Sequence, residues 1–342
     1  MAKTTRYNSA LARLVLTTIC LIVSAGLLAK STNASEERNT YKVKNAFRDA
    51  VRAPIKSTVR VLSGGRRVAL GAIVGADGYV LTKASEVKQN IECQLFDGRR
   101  LKAEIVGTQD EYDLALLKID AKDLPTIQWG DSDPPPVGSW LATPGLETIP
   151  ISIGVVSVAP RKIERRITVL GVKLQDAEKG PQVFEVVPGS NAAKAGIIEN
   201  DIITHLDGKR EESLDGLIKA IRQRRPGDKV RLKVLRGERE VTVDAELGEL
   251  AQLTHGKEYF QFGLGGRLSQ RRAGFPIALQ HDTVLQPNQC GGPLVDLDGK
   301  TIGINIARAN RVTSYALPAS VVIPLVDELK KSGTMVSTTP AD

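Results

Sequence analysis

Short apolar runs separated by glycine-containing turns fill the first part of the chain. They predict strands over residues 58–62, 68–74, 79–82, 91–96, 100–107 and 113–119. The dipeptides Asp77-Gly78 and Asp97-Gly98 are typical of hairpin turns. Strands at this regular spacing, without long helices between them, predict a barrel or a sandwich. Because aromatic residues are only 4% of the chain, we expect a core of Val, Ile, Leu and Ala.

The N-terminus has the pattern of a secretory signal peptide. A basic start with Lys3, Arg6 and Arg13 precedes an uncharged apolar stretch over 14–29, and small residues follow over 31–34. We therefore predict a signal peptide over 1–34 and an exported protein, periplasmic or otherwise extracytoplasmic, which stays membrane-anchored if the signal is not cleaved. The segment contributes four of the eight net positive charges, through those three residues and Lys30, and leaves +4.

The remaining charge, histidines and cysteines exclude several function classes. The basic clusters at 161–166 and 222–225 contain no aromatic residue, so we predict no nucleic-acid binding. The three histidines lack metal-ligand spacing, and we predict neither a metal nor a cofactor. Past the signal, only Cys93 and Cys290 remain, which excludes a disulfide scaffold. A single bridge between these two cysteines stays open.

The second half of the chain contains a unit of different character. The charged segment 161–166 is interpreted as a linker. Residues 167–247 mix strands at 183–187, 201–206, 229–236 and 239–247 with helices at 191–195 and 213–224. The β pattern resumes over 262–316. A helix at 321–331 follows, and we expect the polar tail after it to be unordered.

The most specific motif is Asn288-Gln289-Cys290-Gly291-Gly292-Pro293-Leu294. It resembles the nucleophile loop of trypsin-fold proteases, in which Gly-x-Ser-Gly-Gly-Pro precedes a strand. Such a loop exposes one nucleophile and aims backbone N–H groups at the oxyanion. The resemblance implies that Asn288, Gln289 and Cys290 form the oxyanion loop and that Cys290 takes the place of the serine.

Other segments resemble HtrA-type proteases in the same order along the chain. The matching stretches lie at 47–61, 75–82, 112–119, 130–138, 154–157 and 315–318. By this resemblance, Asp113 is the catalytic aspartate. The family's histidine falls three residues after Thr82, where this sequence has Ser85. No histidine occurs anywhere in the predicted first barrel.

The unit at 164–248 resembles a bacterial PDZ domain. Leu170-Gly171-Val172 matches the loop that receives a peptide carboxylate, and 188–196 with 200–203 follow the same pattern. The resemblance implies a peptide-binding site formed by Leu170, Gly171 and Val172 with the helix residues Leu214, Leu217 and Ile218, of which we expect at least half to be core. Peptide C-termini or unfolded protein segments are the implied partners, and a homotrimer the implied assembly.

The resemblance predicts a mainly β fold. Two six-stranded antiparallel β-barrels of trypsin-like type form it, with an α+β PDZ domain inserted in the second barrel rather than appended. We expect five segments: the signal at 1–34, the first barrel and start of the second at 35–163, the PDZ domain at 164–248, the rest of the second barrel with its helix at 249–331, and a disordered tail at 332–342.

The absent histidine decides the predicted chemistry. A thiol without a base is only a few per cent ionised at neutral pH, and amide cleavage also needs an acid for the leaving amine. His281 is one alternative base. Lys83 and Glu86 flank the empty position, but we expect them to point elsewhere. The leading hypothesis is a pseudoprotease in protein quality control or peptide-dependent regulation. An endopeptidase using Cys290 and a redox protein using the Cys290 thiol are the alternatives.

Overall fold

The computed structural model describes residues 39–131, 133–250, 253 and 266–336. The predicted signal peptide at 1–34 lies outside these residues. Within the described part of the chain, no helix has the length and apolar character needed to cross a membrane.

Within the described residues, two short α-helices precede the first strand, α1 (Tyr41–Ala46) and α2 (Arg48–Val51). Apolar residues at helical spacing over 41–53 predict one continuous helix here. The helix is interrupted at Phe47, whose backbone leaves the helical region with φ −97° and ψ 11°. The Phe47 ring instead packs against Trp140, with ring centroids 5.3 Å apart. This contact ties the N-terminal segment to the second half of the fold.

The first six strands close into an antiparallel barrel in the order β1-β2-β3-β6-β5-β4. They are β1 (Thr58–Ser63), β2 (Arg66–Gly75), β3 (Tyr79–Lys83), β4 (Ile91–Gln94), β5 (Arg100–Gln109) and β6 (Leu114–Ile119). All six predicted strands are observed. The barrel interior is aliphatic, with Val59, Ile73 and Leu117 fully or almost fully buried. Few aromatic residues therefore suffice to fill it.

An α+β unit follows the strands β7 (Trp140–Thr143) and β8 (Ser152–Ile163). Its strands are β9 (Thr168–Val169), β10 (Val172–Gln175), β11 (Gln182–Val186), β12 (Ile202–Leu206), β13 (Lys209–Arg210), β14 (Lys229–Arg236), β15 (Arg239–Glu246) and β16 (Gly248–Glu249). Its helices are α3 (Asn191–Lys194) and α4 (Leu214–Arg222). The main sheet has the order β10-β11-β12-β14-β15, so β10 is an edge strand. The sequence pattern did not predict β10.

The chain then returns to complete a second closed barrel. The returning strands are β17 (Phe275–His281), β18 (Pro293–Val295), β19 (Thr301–Arg308) and β20 (Ser314–Pro318). The barrel order is β17-β20-β19-β18-β7-β8. The α+β unit is thus inserted in this barrel, as predicted. Residues 161–163, interpreted as linker, belong to β8 because β17 pairs with them, Phe275 opposite Ile163.

A final helix, α5 (Ala319–Val336), packs across the junction of the two barrels. Val322 and Val326 belong to a buried cluster that contains Leu116 of the first barrel and Phe275 of the second. The helix extends through residues 332–336, where we predicted a disordered tail. Gly333 lowers helix stability by only about 1 kcal/mol relative to alanine, and no proline occurs between residue 331 and Pro340. Residues 337–342 lie outside the described part.

Candidate active site

The Cys290 loop is fixed against the first barrel. The backbone N–H of Leu70, on β2, donates a hydrogen bond to the carbonyl of Cys290 at 2.8 Å. Gly291 has a φ of +99°, and a Cβ there would collide with the carbonyl oxygen of Leu70. Its N–H donates to the carbonyl of Asn305 at 2.6 Å. Only glycine meets both the backbone angle and the close approach, so this loop needs a glycine after Cys290.

Cys290 itself has no solvent exposure. Its sulfur lies 3.8 Å from the carbonyl oxygen of Gln286. Burial raises the pKa of the Cys290 thiol, because a thiolate is poorly solvated in the interior. The positive charge of Lys83 and a hydrogen bond from Ser269 act in the opposite direction without reversing the shift. The neutral thiol is therefore favoured at neutral pH.

The segment before Cys290 forms a 3₁₀ turn, Pro287–Gln289. The N–H of Gln289 donates to the carbonyl of Gln286 at 2.9 Å, and the N–H of Cys290 donates to that of Pro287 at 3.2 Å. Two N–H groups of the predicted oxyanion loop thus bond within the turn. The assignment of Asn288, Gln289 and Cys290 as an oxyanion loop remains a prediction from resemblance.

Asp113 and Ser85 form a paired arrangement on the first barrel. The N–H of Ser85 donates to Oδ1 of Asp113 at 2.7 Å, and the Ser85 hydroxyl donates to Oδ2 at 2.9 Å. Asp113 is buried, and burial raises its pKa, while Lys83, Arg271 and Ser85 oppose the shift. Its backbone has a φ of +60°, a conformation that aspartate tolerates better than most residues. The serine at the histidine position therefore satisfies both carboxylate oxygens.

Lys83 is the site residue that sequence reasoning placed wrongly. Its side chain is completely buried, with Nζ 4.0 Å from Oδ2 of Asp113 and 3.6 Å from Oε1 of Glu86. No hydrogen-bond partner for this Nζ occurs in the described part of the chain. Lys83 pairs with Leu114 across β3 and β6, which places it beside Asp113. The 3₁₀ turn at Ala84–Glu86 then brings Glu86 back toward it.

His281 lies in the interior of the second barrel rather than at a surface. It is fully buried, and its Nδ1 lies 2.6 Å from the hydroxyl oxygen of Thr283. Burial lowers the His281 pKa to about 4, so the ring is neutral at physiological pH. The hydrogen-bonding partner of the His281 ring is thus Thr283, another buried residue. This contact gives no support to His281 as a catalytic base.

Cys93 and Cys290 are both free and buried. Cys93 lies in the core of the first barrel, where burial raises its pKa to about 12. A Cys93–Cys290 bridge is therefore not formed in this structure. Within the described residues, His, Cys, Asp and Glu side chains form no cluster that could hold a metal ion.

The six predicted peptide-binding residues differ in exposure. Leu170 and Leu217 are buried in the core of the α+β unit. Val172, Leu214 and Ile218 are half-buried. Gly171 has a φ of +94°, and its carbonyl accepts a hydrogen bond from the N–H of Val187 at 3.1 Å. Because the loop leads directly into β10, the free edge of the sheet begins at this position.

Comparison with known proteins agrees with this architecture. Residues 69–162 match a family described as trypsin-like peptidase domain, and residues 168–247 match the PDZ domain. A probable periplasmic serine endoprotease DegP-like of Halomonas elongata is 25% identical over 54% of this chain and 57% of its own. The periplasmic pH-dependent serine endoprotease DegQ of Escherichia coli is 26% identical over 75% of this chain and 77% of its own. The chain is therefore similar to HtrA-type serine proteases that carry a PDZ domain.

The chain spans about half the length of the first curated relatives that it matches, 57%, 51% and 54% of theirs. Among solved structures it is similar to the serine endoprotease from Yersinia pestis. That chain is 21% identical, with a TM-score of 0.30 and coverage of 60% of this chain and 98% of the other.

Sequence reasoning missed three residues around Cys290. They are Ser269, Gln286 and Arg308. Ser269 and Arg308 are held together, because the N–H of Ser269 donates to the Arg308 carbonyl at 3.0 Å and the N–H of Arg308 donates to the Ser269 hydroxyl at 2.9 Å. No local pattern marks such a contact between distant segments. Lys83 differs, since its position beside the aspartate follows once the register between β3 and β6 is known.

Proposed function

We propose that this protein is an exported pseudoprotease that binds exposed peptide C-termini through its PDZ domain, in protein quality control or as a peptide-dependent regulator. The observation that carries the proposal is the Ser85–Asp113 pair. Ser85 occupies both oxygens of the carboxylate that would otherwise orient a catalytic histidine. The serine supplies hydrogen bonds but no group that can act as a general acid or base at neutral pH.

Peptide hydrolysis requires two proton transfers. A base must remove the proton of the nucleophile, and an acid must protonate the leaving amine. Loss of general acid–base catalysis reduces the rate by about 10²–10⁴-fold, and loss of a member of a coupled triad reduces it further. Ser85 performs neither transfer.

The state of Cys290 supports the same conclusion. A nucleophile must reach the substrate carbonyl, and Cys290 has no exposed surface. Its raised pKa reduces the thiolate fraction still further. The N–H of Cys290 donates to Pro287 instead of pointing toward a bound carbonyl. Three properties of Cys290 therefore act against acyl transfer: its sulfur is inaccessible, its thiol is neutral, and its backbone N–H is already hydrogen-bonded.

The geometry of the PDZ sheet supports peptide binding. A peptide that binds as an added strand needs an unpaired strand edge and a neighbouring apolar groove. Strand β10 is such an edge, and Leu214 and Ile218 on α4 are half-buried. The backbone N–H of Leu214 donates to the side chain of Asp176 at 3.4 Å, which links the start of α4 to the end of β10. The curated relatives are named as periplasmic proteins, which supports export.

Fluorescence anisotropy with labelled peptides tests this partner. We expect saturable binding of apolar-ended peptides with a free C-terminal carboxylate, and loss of binding when the same peptides are amidated. Ile218→Ser should weaken binding, whereas Lys219→Ser, which changes an exposed neighbour, should not. Equal affinity for free and amidated peptides would refute recognition of C-termini.

One observation favours a second function, a thiol endopeptidase. Lys83 is a buried amine without a hydrogen-bond partner in the described residues, and its charge acts on Cys290. A lysine can serve as the base in nucleophilic catalysis when it is neutral. In this alternative Lys83 takes the proton of Cys290 during attack. Turnover lost in both Cys290→Ala and Lys83→Met would support it over the pseudoprotease.

A further inference from the structure

Seven arginines from separate parts of the chain line one cavity, which we call the arginine cleft. They are Arg165, Arg166, Arg222, Arg224, Arg225, Arg271 and Arg272. The cavity has a volume of about 450 Å³, within the range of small-ligand sites. It combines the two basic clusters seen in the sequence with a third pair that precedes β17. The sequence alone gave no reason to bring these three segments together.

Little negative charge balances this cleft. Asp110 and Glu111 also line it, so that seven guanidinium groups face two carboxylates. Behind the lining, Glu249 contacts Arg166 and lies 3.6 Å from Arg272. Counting these three acids together with Asp207, which pairs with Arg224, still leaves three positive charges among the described residues. Arginines gathered in a concave site repel one another, and an anion bound between them removes that repulsion.

Three of the arginines have no internal partner for their side chains. Arg165, Arg222 and Arg225 are exposed, and none of them forms a side-chain hydrogen bond or ion pair with the described residues. Arg224 differs, because it donates to the carbonyl of Ala220 and to Asp207, each at 2.7 Å. The free guanidinium groups therefore come from two sides of the cavity, the segment after β8 and the end of α4.

Within the arginine cleft, the Arg271 side chain is held in place by contacts with the rest of the fold. Its guanidinium donates to the backbone carbonyls of Asp110 and Glu111, the latter at 2.6 Å. These hydrogen bonds do not involve the carboxylates of the two residues. Its guanidinium also lies over the Phe275 ring, 5.1 Å from the centroid. Burial lowers the pKa of Arg271, and the like charges of Arg225 and Arg165 lower it further. Those two arginines thus act on the same region of space.

We propose that the arginine cleft is a binding site for a compact anion with several phosphate groups, such as an oligophosphate. The planar guanidinium group binds phosphate oxygens in pairs, and several such groups favour a ligand with several charges. None of the described lining residues is aromatic, so this part of the cleft offers no surface on which nucleic-acid bases could stack. This site does not depend on whether the protease site is active.

The proposed ligand would connect three parts of the fold. Asp110 and Glu111 belong to the loop before Asp113, Arg222 and Arg225 lie at the end of α4 in the PDZ domain, and Arg271 precedes β17. One anion would neutralise arginines from the PDZ domain and from the second barrel together. Binding should therefore stabilise the folded protein as well as fill the cavity.

Isothermal titration calorimetry with inorganic tripolyphosphate, at near-physiological salt, tests the site. The full chain is compared with a cleft variant, Arg165→Gln/Arg222→Gln/Arg225→Gln. A control variant, Arg48→Gln/Arg66→Gln/Arg239→Gln, removes the same charge from exposed arginines elsewhere. We expect the cleft variant to bind at least about tenfold more weakly and the control within about twofold of wild type.

A second measurement, the melting temperature, separates loss of the binding site from misfolding of the variant. Tripolyphosphate should raise the melting temperature of the wild type and the control, and not that of the cleft variant, whose own melting temperature shows whether it folds. Equal weakening in both variants, or no saturable binding to wild type, would overturn the proposal.

The source of the phosphate is tested separately with vesicles. Wild type is sedimented with phosphatidylcholine vesicles that contain phosphatidic acid, with and without free tripolyphosphate. Cleft-dependent sedimentation that tripolyphosphate abolishes assigns the site to a lipid headgroup. Binding to free tripolyphosphate without sedimentation assigns it to a soluble oligophosphate. Failure of both ligands refutes the site.

Discussion

The hydroxyl of Ser85 lies 2.9 Å from Oδ2 of Asp113 and donates a hydrogen bond to it, while the backbone N–H of Ser85 reaches Oδ1 at 2.7 Å. Both carboxylate oxygens are thus engaged by the residue that stands at the histidine position. In a working triad the carboxylate orients an imidazole. Here it holds the turn after β3, so the aspartate has a structural use that survives the loss of the base.

Lys83 should stabilise the protein through its buried carboxylate neighbour. Lys83→Met removes the cation 4.0 Å from Asp113, and we expect the free energy of unfolding to fall by about 3 kcal/mol because a buried carboxylate loses its partner. Adding Asp113→Asn removes that charge as well, so the double variant should lose less than the sum of the single changes. Urea unfolding at neutral pH is measured for Lys83→Met, Asp113→Asn and the double variant. Strictly additive losses would show that the two side chains are not coupled.

Gly291 should tolerate no side chain. Gly291→Ala combines a φ of +99° with a collision between Cβ and the Leu70 carbonyl, and we expect a loss of about 3 kcal/mol or more. Gly98 is the matched control, because its φ is +90° and a Cβ there would meet no atom within 4 Å. Gly98→Ala should lose only about 1–2 kcal/mol. Chemical denaturation of the two variants compares them, and equal losses would contradict the contact with Leu70.

His281 should make stability depend on pH. Its pKa is about 4 in the folded protein against 6.5 for an unperturbed histidine, so the unfolded chain binds the proton more tightly. The contribution of the neutral His281 ring to the free energy of unfolding is fully present above pH 6.5. It falls by about 3 kcal/mol as the pH decreases to about 4. His281→Gln should remove this portion of the acid sensitivity. Urea unfolding of both proteins across this range tests it, and parallel pH profiles would contradict it.

Much of the fold could be predicted from the sequence because its signals are local. Alternating apolar residues and Asp-Gly turns marked the six strands of the first barrel. The glycines after Cys290 and the order of the matching segments indicated the inserted PDZ domain. Strand β10 escaped prediction because Val172–Gln175 is only four residues long and lies at a sheet edge. Edge strands carry weak burial patterns.

The candidate site was only partly predictable, for a physical reason. The sequence motifs pointed to Ser85, Asp113 and Cys290. The position of Lys83 depends on the register between β3 and β6, and the environment of Cys290 depends on segments that are distant along the chain. The burial of Cys290 follows from the packing of both barrels, which no single motif encodes.

The most direct test of the pseudoprotease is cleavage of a fluorescently labelled unfolded protein by wild type, Cys290→Ala and Lys83→Met. A proteolytically active relative that retains its triad serves as the positive control. Because the site lacks a base and Cys290 is buried, we predict that wild type releases no more label than Cys290→Ala. Turnover by wild type that disappears in Cys290→Ala would contradict the account.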